Sequence, residues 1–358
     1  MKQGRTLPDM LQELKRQDEA KRDLLVPAQM LNMQRDAETI FTVDDGGAAP
    51  LSMGMTDLFH RQLGGAMKIP ADYYDRMKAD LPWLLSTNVN AWLATMENSF
   101  MIRTMDFNDG RGQVARAFLS ERYRRIDNLA IATALLSLFL GMQGCEVASC
   151  EITTNRMYIK LTFTLKRYEV KPGDFVEFGI IISNSEVGLG AVMVCPFLNR
   201  LVCTNGLVLN TMGQRKHHVG RQIKAVEDSF ELYSDSTIEL EDRAFLSKLQ
   251  DVARATMDES RYPVIIDQLK ESAEAKITGA VPQVVELTAR NFGLRKTEQD
   301  DMLKYLIEGG DLSLYGMMNS ITRMSADVDS YDRATELESI GWQVATMEPQ
   351  MWKAINNA

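Results

Sequence analysis

The first hundred residues place apolar side chains at helical spacing. Met10, Leu11 and Leu14 lie near one side of the segment Pro8–Asp23, which predicts an opening helix. Residues 55–98 are also predicted to be helical, because residues that favour helix starts recur there. These are Thr56, Pro70 and Pro82. Two short β-like runs that flank a turn-rich stretch predict a hairpin before them. The runs are Thr39–Val43 and Pro50–Met53, and the turn is Asp44–Gly47.

The middle of the chain changes to runs rich in β-branched and aromatic residues, which are typical of strands. We predict strands at Phe100–Thr104, Gln113–Leu119, Cys145–Thr153, Met157–Leu165, Phe175–Ser183 and Leu189–Leu198. Between the second and third of them, residues 128–140 predict a helix with Asp127 as its N-cap and Gly141 after its end. The middle is therefore predicted to be an antiparallel sheet with a helix packed on it.

After Gly220 the helical period returns and continues to the end of the chain. The chain is thus predicted to be an α+β protein: a helical N-terminal layer, a central twisted antiparallel sheet with a packed helix, and a helical C-terminal region. We predict three domains. Residues 1–99 form a mostly helical region with a short hairpin, residues 100–222 the sheet core, and residues 223–358 an acidic helical domain.

The composition is that of a globular chain, with 45% apolar and 25% charged residues among 358. The longest apolar run, Leu129–Met142, is shorter than the ~18 residues that a membrane helix needs. The N-terminal residues lack the pattern of a secretory signal, and the four scattered cysteines favour reduced thiols. We therefore expect a cytoplasmic protein without membrane partners.

Charge is unevenly distributed along the chain. Residues 101–224 carry 16 Lys and Arg against 10 Asp and Glu, and residues 225–358 carry 13 against 25. The middle is thus +6 and the tail −12. A basic middle suits contact with an anion, and an acidic tail suits contact with a protein.

Motifs for metal sites and for common enzyme classes are not evident. The adjacent His217 and His218 point to opposite sides of a strand, so they do not face one metal ion. The four cysteines lack the two-residue spacing of a zinc knuckle. The glycines of Ser185–Gly190 are not followed by Lys-Ser/Thr, so this loop is not a phosphate-binding Walker loop. We expect no metal, no cofactor and no catalytic residues, and an enzyme is not the favoured class.

Two clusters of basic residues follow predicted strands and suggest binding of a polyanion. The first contains Arg116, Arg122, Tyr123, Arg124 and Arg125. The second contains Arg200, Asn205, Arg215, Lys216, His217, His218 and Arg221. Guanidinium groups bind phosphates in a bidentate manner, and a tyrosine offers a stacking face to a base. The competing interpretation is that the arginines pair with the protein's own carboxylates and that Tyr123 belongs to the core.

Three sequence runs resemble a phage/plasmid-like family of unknown function found in bacteriophages, plasmids and prophages. The runs are AFLSERYRRIDN, GIIISNSEVGLGA and FLNRLVCTNGLV, and the resemblance covers residues 20–222. It implies a mobile genetic element in a bacterial host. It supplies no mechanism and no catalytic residues.

These observations predict a nucleic-acid-binding protein, an oligomer that holds single-stranded DNA for annealing or protection during recombination. The predicted combination of a small sheet, a helix and basic side chains is analogous to the fold of phage single-strand annealing proteins, and the analogy is at the level of fold only. An alternative is a counter-defence or regulatory factor whose acidic C-terminal region binds a host or phage protein. A third hypothesis is an enzyme on a small ligand, based on the loops Ser183–Gly190 and Thr204–Gly206.

Overall fold

The computed structural model describes residues 1–42, 51–123, 125–203, 205–210, 214–216 and 235–357, with the backbone alone for residues 214–216 and 235–239. Its helices are α1 (Leu7–Ala20), α2 (Asp57–Ala66), α3 (Ala71–Asp80), α4 (Pro82–Thr95), α5 (Asn128–Phe139), α6 (Asp235–Thr256), α7 (Tyr262–Glu274), α8 (Val281–Asn291), α9 (Lys296–Gly309), α10 (Leu314–Met324), α11 (Tyr331–Ala345) and α12 (Pro349–Asn356). Its strands are β1 (Lys21–Pro27), β2 (Leu31–Met33), β3 (Thr39–Thr42), β4 (Ser52–Met55), β5 (Ser99–Asp106), β6 (Gln113–Ser120), β7 (Cys145–Ile152), β8 (Met157–Lys171), β9 (Asp174–Asn184), β10 (Val192–Arg200), β11 (Asn205–Val208) and β12 (Gln214–Lys216). The α+β class is confirmed.

The first sheet has the strand order β1-β5-β6-β4-β3-β2, and in it only the β4–β6 pair is parallel. Helices α2 and α4 pack against it, and their residues Phe59 and Leu85 share one apolar core with Ile102 and Phe118. The strands β5 and β6 were expected beside the later strands. They pair instead with β1 and β4 from the N-terminal region, so the sheet predicted for the middle of the chain is divided in two. The turn Asp44–Gly47 of the predicted hairpin lies outside the described residues, but β3 and β4 pair antiparallel as predicted.

The second sheet is an antiparallel meander, with the order β11-β10-β9-β8-β7 and with β12 paired to β10. Alternate residues of its central strands, including Phe163, Ile180 and Val194, form a core with α1, α5 and α6. Burying a side chain of this size is worth about 1.5–3 kcal/mol, so this core holds the helices on the sheet.

The helical C-terminal region, confirmed here for residues 235–357, is joined to the second sheet through apolar and ionic contacts. Trp342 and Tyr315 share a core with Phe178 and Leu198. Lys160 of β8 also reaches α11, where its Nζ lies 2.5 Å from Glu338 Oε2, and both side chains are 0% exposed. The second sheet and the C-terminal helices are therefore one packed unit. Within the described ranges, every helix is too short or too polar to cross a bilayer.

Candidate functional site

The connection between β6 and α5 carries the first predicted cluster apart from Arg116, which lies in β6, and it packs against the loop between β9 and β10. The Tyr123 hydroxyl donates a hydrogen bond to the Ser185 carbonyl at 3.0 Å. The side-chain amide of Gln62, which lies in α2, donates a hydrogen bond of 2.7 Å to the Val187 carbonyl. Gly188 allows close contact here, since a Cβ at that position would lie 2.5 Å from Leu119 Cδ2. The two loops are therefore held together at one end of the second sheet.

A buried ion network lies beneath these loops and joins the two sheets. Arg103 of β5 is 0% exposed; its Nε and Nη2 lie 3.0 and 3.1 Å from the two oxygens of Asp23. Its Nη2 also lies 2.6 Å from Asp127 Oδ1, and its Nη1 donates to the Glu186 carbonyl at 3.0 Å. Burial alone would raise the pKa of Asp127, but Arg103 and Lys21 hold it below its usual range. These charges compensate one another inside the protein.

The helix α5 begins at Asn128 with Asp127 as its N-cap residue, as predicted. The Asp127 carboxylate makes no capping hydrogen bond, however, and pairs with Lys21 and Arg103. Glu186 Oε1 accepts the Asn128 backbone N–H at 2.7 Å instead. The other oxygen of Glu186, Oε2, lies 2.7 Å from Arg116 Nη2. Arg116 is only 7% exposed, so its charge is used within the protein.

The other members of the first cluster differ in exposure. Arg122 and Arg125 are exposed, and neither has an ion-pair partner among the described residues. The Tyr123 ring packs on Leu119 and Val187, and burial raises the pKa of Tyr123 to about 12. This ring is packed rather than offered for stacking. Arg124 lies outside the described residues.

The second cluster is divided between the two ends of β10. Arg215 and Lys216 lie on β12, paired with Met193 and Val192 at the start of that strand. Arg200 lies at the other end of β10, where it pairs with Asn205. At ~3.3 Å per residue, the two ends of β10 are roughly 26 Å apart. The remaining members, His217, His218 and Arg221, lie outside the described residues. The cluster therefore does not form a continuous patch.

At the far end of β10, Arg200 is used in the packing of the C-terminal helices. Its Nε and Nη2 lie 2.8 and 2.7 Å from the Asp174 carboxylate, which also accepts the Tyr315 hydroxyl at 2.9 Å. Burial would lower the pKa of Arg200, but the hydrogen bond to Asp174 raises it above its usual value. Asn205 is 3% exposed, and its amide lies 3.5 Å from the Asn319 carbonyl. Both residues line a cavity of about 260 Å³.

A family model described as a domain of unknown function, DUF932, matches residues 117–337. The chain belongs to the DUF932 family. Comparison with curated proteins and with solved structures gave no match. The matched segment begins in β6 and ends in α11, so it contains the β6–α5 connection, the second sheet and the helices packed on it. The DUF932 segment thus spans both predicted clusters except Arg116.

The DUF932 segment contains a further basic residue near the β6–α5 connection and β12, and neither sequence cluster included it. Arg156, in the turn between β7 and β8, donates a hydrogen bond to the Leu189 carbonyl. A Cβ at Gly190 would lie 2.5 Å from Arg156 Nη2, so glycine makes room for the guanidinium. Its position between the predicted strands Cys145–Thr153 and Met157–Leu165 was the available signal. We call the group formed by Arg122, Arg125, Arg156, Arg215 and Lys216 the basic edge.

Proposed function

We propose that this DUF932 protein binds single-stranded DNA through the phosphate backbone, along the basic edge. The observation that supports the proposal is that exposed arginines of the β6–α5 connection lie at the same end of the second sheet as β12, although Arg125 and Arg215 are far apart in sequence. Loops held on a rigid sheet are suited to positioning such groups.

The chemistry of this edge favours contacts to phosphates rather than to bases. Guanidinium groups form charge-assisted hydrogen bonds to phosphate oxygens, and each neutralised phosphate releases condensed counterions. Tyr123 packs inside the loops and contributes no stacking face. Backbone contacts leave the bases available for pairing, as annealing or protection of a strand requires. The net charge of −9 disfavours binding of DNA elsewhere on the surface.

In this proposal, copies of the chain assemble as a homo-oligomer that aligns successive basic edges along one strand. The setting is a phage, plasmid or prophage in the cytoplasm of a bacterial host, which the sequence resemblance implies, and the process is DNA recombination. The DUF932 family itself supplies no activity, so the proposal rests on the basic edge.

The test is the binding of a fluorescently labelled single-stranded oligonucleotide, measured by anisotropy over a range of salt concentrations. We expect the affinity of the double variant Arg122→Glu/Arg125→Glu to fall roughly tenfold or more, and the salt dependence to become weaker. Arg76→Glu is the control, because Arg76 is an exposed arginine on α3, with 79% of its side chain accessible. Binding that is independent of salt, or equal in both variants, would overturn the proposal.

A further inference from the structure

A polar cavity of about 580 Å³ lies beside the basic edge, on the face of the second sheet that α11 covers. Tyr158 of β8, Ser183 of β9 and Met193 of β10 line its sheet side, and Thr335 of α11 lines the opposite side. The volume is within the ~300–1,000 Å³ range of small-molecule sites. The cavity adjoins the basic edge directly, because Arg156 also lines it and Met193 pairs with Arg215.

Buried hydroxyl groups in this cavity lack partners. Ser183 is 0% exposed and Thr335 is 6% exposed, and neither side-chain oxygen has a hydrogen-bond partner among the described residues. The Asn210 amide oxygen, also on the wall, has none either. Buried polar groups are nearly always hydrogen-bonded, so three unpartnered groups that line one cavity indicate that something polar occupies the space.

The charges on the wall are unequally compensated. The Asp332 carboxylate accepts hydrogen bonds from Thr153 at 3.1 Å and from Asn155 at 3.3 Å. Arg333 pairs with Glu298 at 2.6 Å and with Glu336 at 2.7 Å. The remaining cations of the lining are Arg156, which hydrogen-bonds a carbonyl, and the exposed Arg295. Neither is paired with a carboxylate among the described residues, and the only lining carboxylate without a cation there is Asp332. Two uncompensated cations against one carboxylate leave the lining with an excess of positive charge, which favours an anion.

We infer that this cavity binds one nucleotide unit. Arg156 and Arg295 contact the phosphate, and the hydroxyls of Ser183 and Thr335, with the Asn210 amide, pair with the polar atoms of the sugar and base. A nucleotide joins a phosphate to a group rich in hydrogen-bond donors and acceptors, and the wall provides for both parts. The inference rests on the proposed binding of single-stranded DNA, because the unit is taken to be part of the strand held at the basic edge.

The first experiment measures binding of a free deoxynucleoside 5′-monophosphate to the full chain by isothermal titration calorimetry, together with the free energy of unfolding. Thr335→Val keeps the shape and removes the unpartnered hydroxyl, and Ser183→Ala removes the other. We expect each substitution to weaken nucleotide binding about fivefold, as the loss of one hydrogen bond does, without lowering stability. If the two hydroxyls serve only the fold, the substitutions should instead lower stability and leave nucleotide binding unchanged.

The matched control is Thr322→Val. The Thr322 hydroxyl is also buried, but it donates to the Asn319 carbonyl at 3.2 Å. This variant should lose stability and bind the nucleotide like the unaltered protein. Nucleotide affinity that is the same in all three variants, or no heat of binding at millimolar nucleotide, would overturn the inference.

The labelled oligonucleotide separates this inference from the proposed function. Arg122→Glu/Arg125→Glu should lose the oligonucleotide and keep the mononucleotide, which supports the cavity as a distinct site. If the unaltered protein binds the oligonucleotide but not the mononucleotide, the cavity inference fails alone. If it binds only the mononucleotide, and Thr335→Val weakens that binding, the cavity stands and the strand-binding function fails.

Discussion

At the scale of single residues, His60 of α2 is buried at the contact between α2 and α3. Its Nδ1 lies 2.9 Å from the Tyr74 hydroxyl, while its Nε2 has no partner among the described residues. Burial, assisted by the nearby Lys78, lowers the pKa of His60 from 6.5 to about 4. The imidazole is therefore neutral in the folded protein at pH values where an exposed histidine is already protonated.

This difference makes stability depend on pH. Between pH 6.5 and about 4 the unfolded chain takes up a proton at His60 that the folded chain does not. The contribution of neutral His60 to the free energy of unfolding is therefore complete above pH 6.5 and declines as the pH falls through this window. At 1.36 kcal/mol per pKa unit, the free energy of unfolding should drop by about 3 kcal/mol. His60→Gln does not titrate and should lack this part of the drop. Urea unfolding at several pH values measures the free energy of unfolding of the unaltered protein and of His60→Gln. If this free energy depends on pH in the same way in both proteins, the prediction is wrong.

The sequence indicated clusters of arginines as the candidate site, but it did not show which of these arginines are available to a ligand. Arg116 and Arg200 are paired with Glu186 and Asp174, which are 70 and 26 positions away. Only the folded chain brings those carboxylates to them, so local composition could not distinguish Arg116 from the exposed Arg122. The competing interpretation, pairing with the protein's own carboxylates, therefore holds for these two arginines.

At the scale of elements, Gly179 of β9 lies directly against the backbone of β8. A Cβ at this position would lie 1.9 Å from the Leu161 carbonyl oxygen, which is backbone and is fixed by the strand pairing. Gly179→Ala should therefore force the two central strands apart and lower stability by several kcal/mol, because a buried ladder and its core contacts are disturbed together.

The control for this prediction is Gly65→Ala. Gly65 lies in α2, where a Cβ would meet nothing within 4 Å, so alanine should be neutral or stabilising by about 0.5–1 kcal/mol. Chemical denaturation followed by circular dichroism compares the two variants. Equal stability of Gly179→Ala and the unaltered protein would show that β8 can move away without cost.

Strands and helices were predicted from periodicity, because alternation and helical spacing are local properties. The membership of a sheet is not local. The short strands β1 and β4 pair with β5 and β6 and thereby remove them from the later meander. The pattern within β5 is the same in either sheet, and for this reason the sequence indicated β5 and β6 as strands but placed them in one sheet with the later strands. The partner β1 was missed, since it begins at Lys21, inside the segment Pro8–Asp23 that was predicted to be helical.

The acidic C-terminal region shows a related effect. Its −12 charge suggested contact with a protein partner, and its residues Trp342 and Tyr315 are packed with strands of the second sheet. Deleting residues 225–358 would therefore expose that core. The alternative of partner capture is better tested by substituting exposed carboxylates, such as Glu308, that leave the core intact.

At the scale of the whole molecule, Arg103 is the centre of the contact between the two sheets. Arg103→Met leaves Asp23 and Asp127 buried or partly buried without their main cation, and should lower the free energy of unfolding by about 3–5 kcal/mol. Arg111→Met is the matched control, since Arg111 pairs with Asp109 at 2.6 Å but is 62% exposed. Its effect should be much smaller, because solvent screens an exposed ion pair. Comparable urea midpoints for the two variants would show that the network adds little to stability.

The ion network also sets a condition on how this protein can exchange segments with its relatives. Arg103 and Arg116 come from the first third of the chain, whereas the carboxylates that they meet, those of Asp127 and Glu186, come from the part that follows. A chimera with a crossover between β6 and α5 would combine an interior cation from one parent with anions from the other. Such hybrids should fold only when both parents carry this set of residues, so the four are expected to be inherited together.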